Sequence, residues 1–204
     1  EKEPGNPQPA QGLDVGKNIE KMGYKGVETT EMTFSDFRIP KTALLGTEEG
    51  QGFRQVLDGI EVGRVNVAAR AVGVSTRAFE EAIKYSQERK AFGKPICDHQ
   101  AIQIHIAEMG TTLEAARLML FSAAQKKAAG ERSDLEAGMA KLFASEACHE
   151  ICLKALRVHG GYGYSKEFTV ERLYRDAPFL LIGEGTSEIQ KTVIARRLLE
   201  RHKV

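Results

Sequence analysis

A chain of 204 residues with 42% hydrophobic residues and a formal charge of +1 can bury a substantial core, as one large domain or as a domain joined to part of another. The near balance of charge argues against nucleic acid as the main partner and against disorder. No apolar run approaches membrane-spanning length, and the start, E-K-E-P-G-N-P-Q-P-A-Q-G, has no signal-peptide core, so the sequence predicts neither a membrane span nor secretion.

The first twelve residues hold three prolines and two glycines without apolar periodicity, which predicts an extended or mobile tail. From Leu13 to Pro40 the signals are strand-like, in L-D-V, V-E-T-T-E-M-T-F and D-F-R-I-P, punctuated by Gly16, Gly23 and Gly26. These strands are too few to close a sheet, so the segment reads as the end of a larger β domain.

Composition changes after Gly46. From Gln51 or Gly52 to about Lys90, Phe53, Val56, Leu57, Ile60, Val67, Val72, Phe79 and Ile83 recur at helical spacing, and Gly59, Gly63 and Gly73 read as sites of close packing. Gly93 and Pro95 end this unit. A second long helix is expected from near Asp98, a good N-cap, to about Ala129, stopped by Gly130. Ser133 and Glu136 have capping-box spacing for a third helix, closed by H-G-G-Y-G. A short helix around Val170 to Asp176 and a last one from Ser187 to about His202 complete the chain. The expected class is mainly α: an up-and-down four-helix bundle over residues 49–204, preceded at 1–48 by the tail and the β remnant.

The stretch most suited to chemistry is L-I-G-E-G-T-S-E-I-Q, from Leu181 to Gln190. Gly183 and Gly185 let a flat ligand approach the backbone around Glu184. Leu180, Leu181 and Ile182 would desolvate its carboxylate and strengthen it as a base. Thr186 or Ser187 can cap the following helix, Ser187 and Gln190 have S-x-x-Q capping-box spacing, and free backbone N–H groups there could hold a polarised oxygen. Residues alone leave a second reading open, in which Glu184 only complements a helix N-terminus.

Other clusters are weaker one by one. R-K-A-F-G-K-P-I, from Arg89 to Ile96, offers phosphate-binding cations beside the flat ring of Phe92, or it is an ordinary loop. R-V-H-G-G-Y-G allows close backbone approach at Gly160 and Gly161, or is a helix cap, and the lone His159 reads as packed or capping. Glu61 and Arg64, three apart in the first helix, are an exposed ion pair or line a polar channel. Cys148, His149 and Cys152 lack further ligands at suitable spacing, so no metal site is expected. The three cysteines read as packed and fit a reducing compartment.

E-x-G-R, R-K-x-F-G-K-P-I-x-x-x-Q, H-G-G-Y-G-Y, Y-R-D-A and I-G-E-G-T-S-E-I-Q, in this order, together resemble the acyl-CoA dehydrogenase family. The resemblance runs from about Leu13 to the C-terminus and covers only the later part of the family's chain. It implies a flavoenzyme whose helical N-terminal domain and most of whose central β domain lie outside this sequence. By the resemblance Glu184 is the base that takes the α-proton of an acyl-CoA thioester while the β-hydrogen leaves as hydride to FAD. Arg89, Phe92, Gln100, Arg157, Gly160 and Gly161 would contact FAD bound mainly by a neighbouring subunit, and Thr186 and Glu188 would contact it near the base. Glu61, Arg64 and Gly185 would lie along the acyl-CoA site.

Two departures carry meaning. Some family members place the base on the long helix just before the arginine matching Arg64, where this chain has Gly63. Gly183 stands where several straight-chain enzymes have tyrosine, which implies room for a branched or bulky acyl group. Arg157 also departs from a common glutamine. The family further implies an electron-transfer flavoprotein as acceptor, a homodimer or homotetramer, and a cytoplasmic or mitochondrial-matrix location. An oxidase-like relative using oxygen, and a non-catalytic helical assembly module, are the alternatives.

Overall fold

The structure, a computed structural model, describes residues 11–46 and 48–203, with the backbone alone at Asp58 and Glu61. The proline-rich start read as a tail lies, up to residue 10, outside the described residues. The chain forms two compact units, Glu1–Leu57 and Asp58–Val204.

In the first unit, β1 (Leu13–Val15) pairs antiparallel with β2 (Met32–Phe34), Asp14 opposite Thr33. Backbone bonds from Gly16 to Glu31 and from Ile19 to Thr29 continue the pairing beyond the strands. The expected third strand, D-F-R-I-P, forms none among the described residues. Asp36 there takes a positive φ, 51°, which breaks an extended run.

Five helices make up most of the remainder: α1 (Gly52–Glu88), α2 (Gln100–Ala128), α3 (Asp134–His159), α4 (Thr169–Ile182) and α5 (Ser187–Arg201). α3 is the central one, packed against α2, α4 and α5. Its buried positions are mostly small, among them Ala137, Gly138, Ala140, Ala144, Ser145, Ala147, Cys148, Cys152 and Ala155, which allows its neighbours to approach closely on several sides. Larger fillers, Met109 and Leu113 from α2, Ile151 from α3 and Leu173 and Leu180 from α4, complete the core. No helix among the described residues is long and apolar enough to cross a membrane.

Several boundaries differ from expectation for identifiable reasons. α2 is capped by His99, because Ile96–Asp98 form a separate 3-10 turn before it. α4 runs on past Asp176 to Ile182 although Pro178 removes one backbone donor; burial of Ala177 and Leu180 keeps the helix going. Ser133 does cap α3, but its side chain makes no capping bond. Glu136 instead pairs with Lys126 at 2.5 Å and Arg201 at 3.3 Å. Of the three α1 glycines, Gly59 and Gly73 have nothing within 4 Å of an added Cβ, so only Gly63 marks a close approach. Lys90–Ala91 and Lys94–Pro95 form a further small hairpin, β3 and β4, turned by Phe92 and Gly93, both with positive φ as a type I′ turn requires.

The start of α3 is tied down by charge. Asp134 Oδ1 lies 3.2 Å from Arg132 Nε, and Oδ2 lies 2.6 Å from Arg197 Nε on α5. Burial pushes the Asp134 carboxyl upward, but the bond from Arg132 and the charge of Arg197 outweigh it and hold the group below its ordinary value. A depressed carboxyl contributes stability that is complete above its unfolded value, about 4, and is lost as the pH falls through the lower folded value. Asp134→Asn is expected to cost about 1 kcal/mol at neutral pH. Thermal melts should show the gap to the parent closing in acid; a gap that stays constant with pH would exclude this ion-pair origin.

Candidate active site

Residues 183–186 connect α4 to α5. Glu184 has φ +55°, a left-handed backbone unusual for a residue with a side chain, and Gly185 follows at +90°. Thr186 is the N-cap of α5, its hydroxyl accepting from Ile189 N at 3.4 Å. Ser187 is already inside the helix with its Oγ unpartnered. The expected Ser187–Gln190 capping box is therefore not formed. Gln190, fully buried, turns its Nε2 back to the carbonyl of Glu184 at 3.1 Å and, more distantly, to that of Gly185. Lys141 of α3 donates to the carbonyls of Leu181 and Gly185, at 3.0 and 2.7 Å.

The Glu184 side chain reaches α1. A Cβ built on Gly63 would fall 2.5 Å from Glu184 Oε2 and 2.7 Å from its carboxyl carbon. The carboxylate therefore occupies the space above a helical glycine. Next to it, Arg64 is half-buried and its Nε is buried without a hydrogen-bond partner. The Glu61 side chain lies outside the described residues.

The expected desolvation by the 180–182 run is not found. Those residues form the last turn of α4, with Leu180 buried against the bundle, Ile182 65% exposed and Glu184 itself exposed. Glu188, exposed in the first turn of α5, is held below the ordinary carboxylate range by its own backbone N–H and then the Thr186 hydroxyl.

A second cluster lies at the other end of α3. A cleft of about 800 Å³ is lined by Arg89, Phe92, His99, Gly160, Gly161 and Tyr162, among others. Arg89 lies over the Tyr162 ring, and Phe92 is 96% exposed at the hairpin tip. Gly160 and Gly161 leave open space where a Cβ would stand. His159 is packed, buried and stacked on Tyr85 at 4.2 Å with its Nδ1 against Ala155 O. Gln100, exposed at the start of α2, and Arg157, exposed in the last turn of α3, are not among the cleft's lining residues. From Lys141 to His159, at the helical rise per residue, the two clusters stand roughly 27 Å apart along α3.

Two further residues of the first cluster are not read as site residues from the sequence. Lys141 is a lone cation on a stripe of small residues, at helical spacing with Ala137, Ala144 and Cys148. Gln190 belongs to a motif but to a different bond than its spacing suggested. Cys148 and Cys152 are free, buried thiols on the same face. Among the described residues no three metal-ligating side chains converge.

A bundle that presents one carboxylate from a glycine loop across a helix, with a separate cationic and aromatic cleft, has the parts of a proton-transfer site and an anion-binding site. The chain belongs to the acyl-CoA dehydrogenase family: residues 50–199 match the model of the acyl-CoA dehydrogenase C-terminal domain. It is 47% identical over 192 residues to the CarC subunit of the caffeyl-CoA reductase-Etf complex of Acetobacterium woodii, covering 94% of this chain and 50% of that protein. It is 44% identical over 191 residues to cyclohexane-1-carbonyl-CoA dehydrogenase of Geobacter metallireducens, with coverage of 94% and 50%. Butyryl-CoA dehydrogenase of Megasphaera elsdenii has the same fold, with a TM-score of 0.90 at 40% identity over 93% of this chain and 49% of that one. The chain spans about half the length of the curated relatives it matches.

Gly63→Ala tests the contact between α1 and the loop. The change favours the helix by up to about 1 kcal/mol in propensity, yet places a methyl against the carboxylate. Circular dichroism should show unchanged or slightly higher helicity, while a crystal structure should show the Glu184 side chain turned away from α1. An undisplaced carboxylate would mean that the close approach is absent in solution.

Proposed function

We propose that this chain is the C-terminal, base-carrying part of an FAD-dependent acyl-CoA dehydrogenase that converts an acyl-CoA thioester to the trans-2-enoyl-CoA. The observation that carries the reading is the Glu184 carboxylate, held over Gly63 by a left-handed turn. In this reading Glu184 takes the proton from the α-carbon, and FAD, when bound, supplies the acceptor for the β-hydrogen as hydride. A thioester α-proton is weakly acidic, so the enolate-like oxygen needs fixed donors, and backbone N–H groups of the Glu184 loop are suited to that. Gly185 is required there by its φ of +90°, a Cβ falling 2.7 Å from Gln190 Nε2, and Arg64 would line the acyl-CoA side, as the resemblance also implies for position 61.

The residues at the far end of α3 fit the cofactor. The cleft combines a guanidinium at Arg89 for phosphate oxygens with an exposed flat ring at Phe92 and open glycine backbone at Gly160 and Gly161. Gln100 and Arg157, both exposed, are proposed as further cofactor contacts on the resemblance alone. The distance between the two clusters favours two cofactor copies: Thr186 and Glu188 meeting one near the base, and the cleft meeting that of a neighbouring subunit in a homodimer or homotetramer. Residues 1–48 are then the end of a central β domain, in keeping with strands too few to stand alone and an exposed Met32 and Phe34. An electron-transfer flavoprotein is the proposed acceptor, as the name of the Acetobacterium relative suggests. A cytoplasmic or mitochondrial-matrix enzyme is implied.

A second reading is the reverse reaction, reduction of an enoyl-CoA, because a relative as similar as any described above is named a reductase. Glu184 would then give its proton to the α-carbon, with reduced FAD, when bound, as the source of the hydride for the β-carbon.

Both directions need the same carboxylate. In the complete enzyme Glu184→Gln should keep the fold and FAD but abolish flavin bleaching by acyl-CoA in stopped-flow; bleaching at the parental rate would move the base role elsewhere. Oxygen and an electron-transfer flavoprotein, compared as oxidants of the reduced enzyme, separate a dehydrogenase from an oxidase. The acyl group is proposed to be bulky or branched. The reading follows from glycine at 183 in place of a bulkier residue, and two relatives are named for caffeyl and cyclohexane-carbonyl thioesters; a Cβ at Gly183 would meet the Phe179 ring at 3.2 Å, so a side chain there has to displace that ring. Gly183→Tyr should lower kcat/KM for a cyclic acyl-CoA by about tenfold or more relative to butyryl-CoA. A panel in which the parent accepts only unbranched chains, unaltered by the substitution, would exclude this.

A further inference from the structure

The largest fully buried side chain among the described residues is a lysine. Lys141 has no exposed surface and sits between Ala137, Gly138, Ala144 and Ser145 on the central helix. Burying an ammonium among small apolar groups is strongly unfavourable unless its donors are satisfied. Here two of its three N–H donors go to carbonyls that flank Glu184 on either side in sequence, Leu181 O at 3.0 Å and Gly185 O at 2.7 Å.

The choice of carbonyls has an electrostatic basis. Leu181 is in the last turn of α4, whose final carbonyls have no partner within the helix and carry the negative end of its dipole. A cation is favoured at that point, and it draws the far side of the loop towards the same nitrogen. Burial lowers the affinity of Lys141 for its proton, the carboxylates of Glu146 and Glu188 oppose that, and Arg64 adds to it.

The backbone at Glu184 needs such a restraint. A non-glycine residue at φ +55° persists only where its surroundings over-determine it. Gln190 holds the Glu184 carbonyl itself, and Lys141 holds those of Leu181, three residues before, and Gly185, directly after. With three carbonyls drawn into the bundle, the side chain of Glu184 is left to point across to Gly63.

We propose that Lys141 is a positioning residue for the carboxylate of Glu184, its ammonium bridging the end of α4 to Gly185 and so fixing the left-handed turn that aims the base. The proposal rests on the reading of Glu184 as base. Lys141 touches no reacting atom. A purely structural role predicts something different, because an apolar side chain of similar length would fill the same space as well or better.

The test is Lys141→Met in the complete, FAD-loaded enzyme, with Lys141→Gln beside it as a neutral variant that keeps a donor. The melting temperature and FAD content of Lys141→Met should match or exceed those of the parent. Amide hydrogen exchange over residues 182–186 should accelerate, and the stopped-flow rate of flavin reduction at saturating acyl-CoA should fall on the order of 100-fold, with acyl-CoA affinity little changed. Lys141→Gln should fall between the two. Unchanged exchange overturns the bridge, and faster exchange with a parental reduction rate overturns the positioning role. Failure of both variants to fold overturns it in favour of a structural role. Glu184→Gln is run in the same assay. A parental rate there removes the base assignment and the catalytic half of this proposal, while exchange in Lys141→Met still decides the bridge.

Discussion

The packing of α3 against three other helices is the constraint on which the rest of the molecule depends. A helix buried on several sides can keep its neighbours close only if its own side chains are small, and α3 meets that condition with alanine, glycine, serine and cysteine along most of its length. Close approach fixes where α4 ends and α5 begins, because both lie against the same helix. The four residues between them then have little freedom. Their carbonyls turn to donors from the bundle, Lys141 from α3 and Gln190 from α5, and the carboxylate turns outward to α1.

This arrangement places polar groups where an apolar core would be expected. Lys141 and Gln190 are both fully buried, and each has its donors on loop carbonyls. Three polar atoms nearby in the sequence or the fold, Arg64 Nε, Ser187 Oγ and Gln190 Oε1, have no hydrogen-bond partner in the chain. Buried unsatisfied groups are rare in native proteins and are tolerated most often where function requires them. Others lie elsewhere in the bundle, Glu136 Oε2 at the ion-paired start of α3 among them, so it is the geometry of Glu184, not these atoms alone, that marks the loop as the proposed site.

Periodicity made the long helices legible. The positions Val67, Val72, Met109, Leu113, Leu135 and Ile151 repeat at helical spacing and are buried, and the glycines at 130 and 160 stop helices as their positive φ values allow. What could not be read was set by tertiary contact. Pro178 and the loop glycine hid the length of α4, since the burial of Leu180 that sustains it depends on α3. The apolar run before Glu184 suggested a desolvated carboxylate, but a helix sends successive side chains to different faces, so Leu180 goes inward and Ile182 outward. Lys141 was invisible as a site residue because its partners are carbonyls some forty residues away, and backbone carbonyls leave no mark on a sequence.

Gly63 and Glu184 together explain a variation that sequence comparison alone leaves arbitrary. In the resemblance on which the assignment rests, the base stands either in the loop or on the long helix just before the arginine matching Arg64. In this chain the helix position is glycine, and the point where its Cβ would stand is 2.5 Å from the carboxylate oxygen of Glu184. One volume can hold one side chain. A residue larger than glycine on α1 would exclude the loop carboxylate from that volume, so the two arrangements are alternatives by steric necessity. In the proposed reaction the fold would fix the point from which the proton is taken, and the sequence would decide which element delivers the carboxylate to it. That is why Gly63, which has no functional group, belongs to the proposed site as much as Glu184 does.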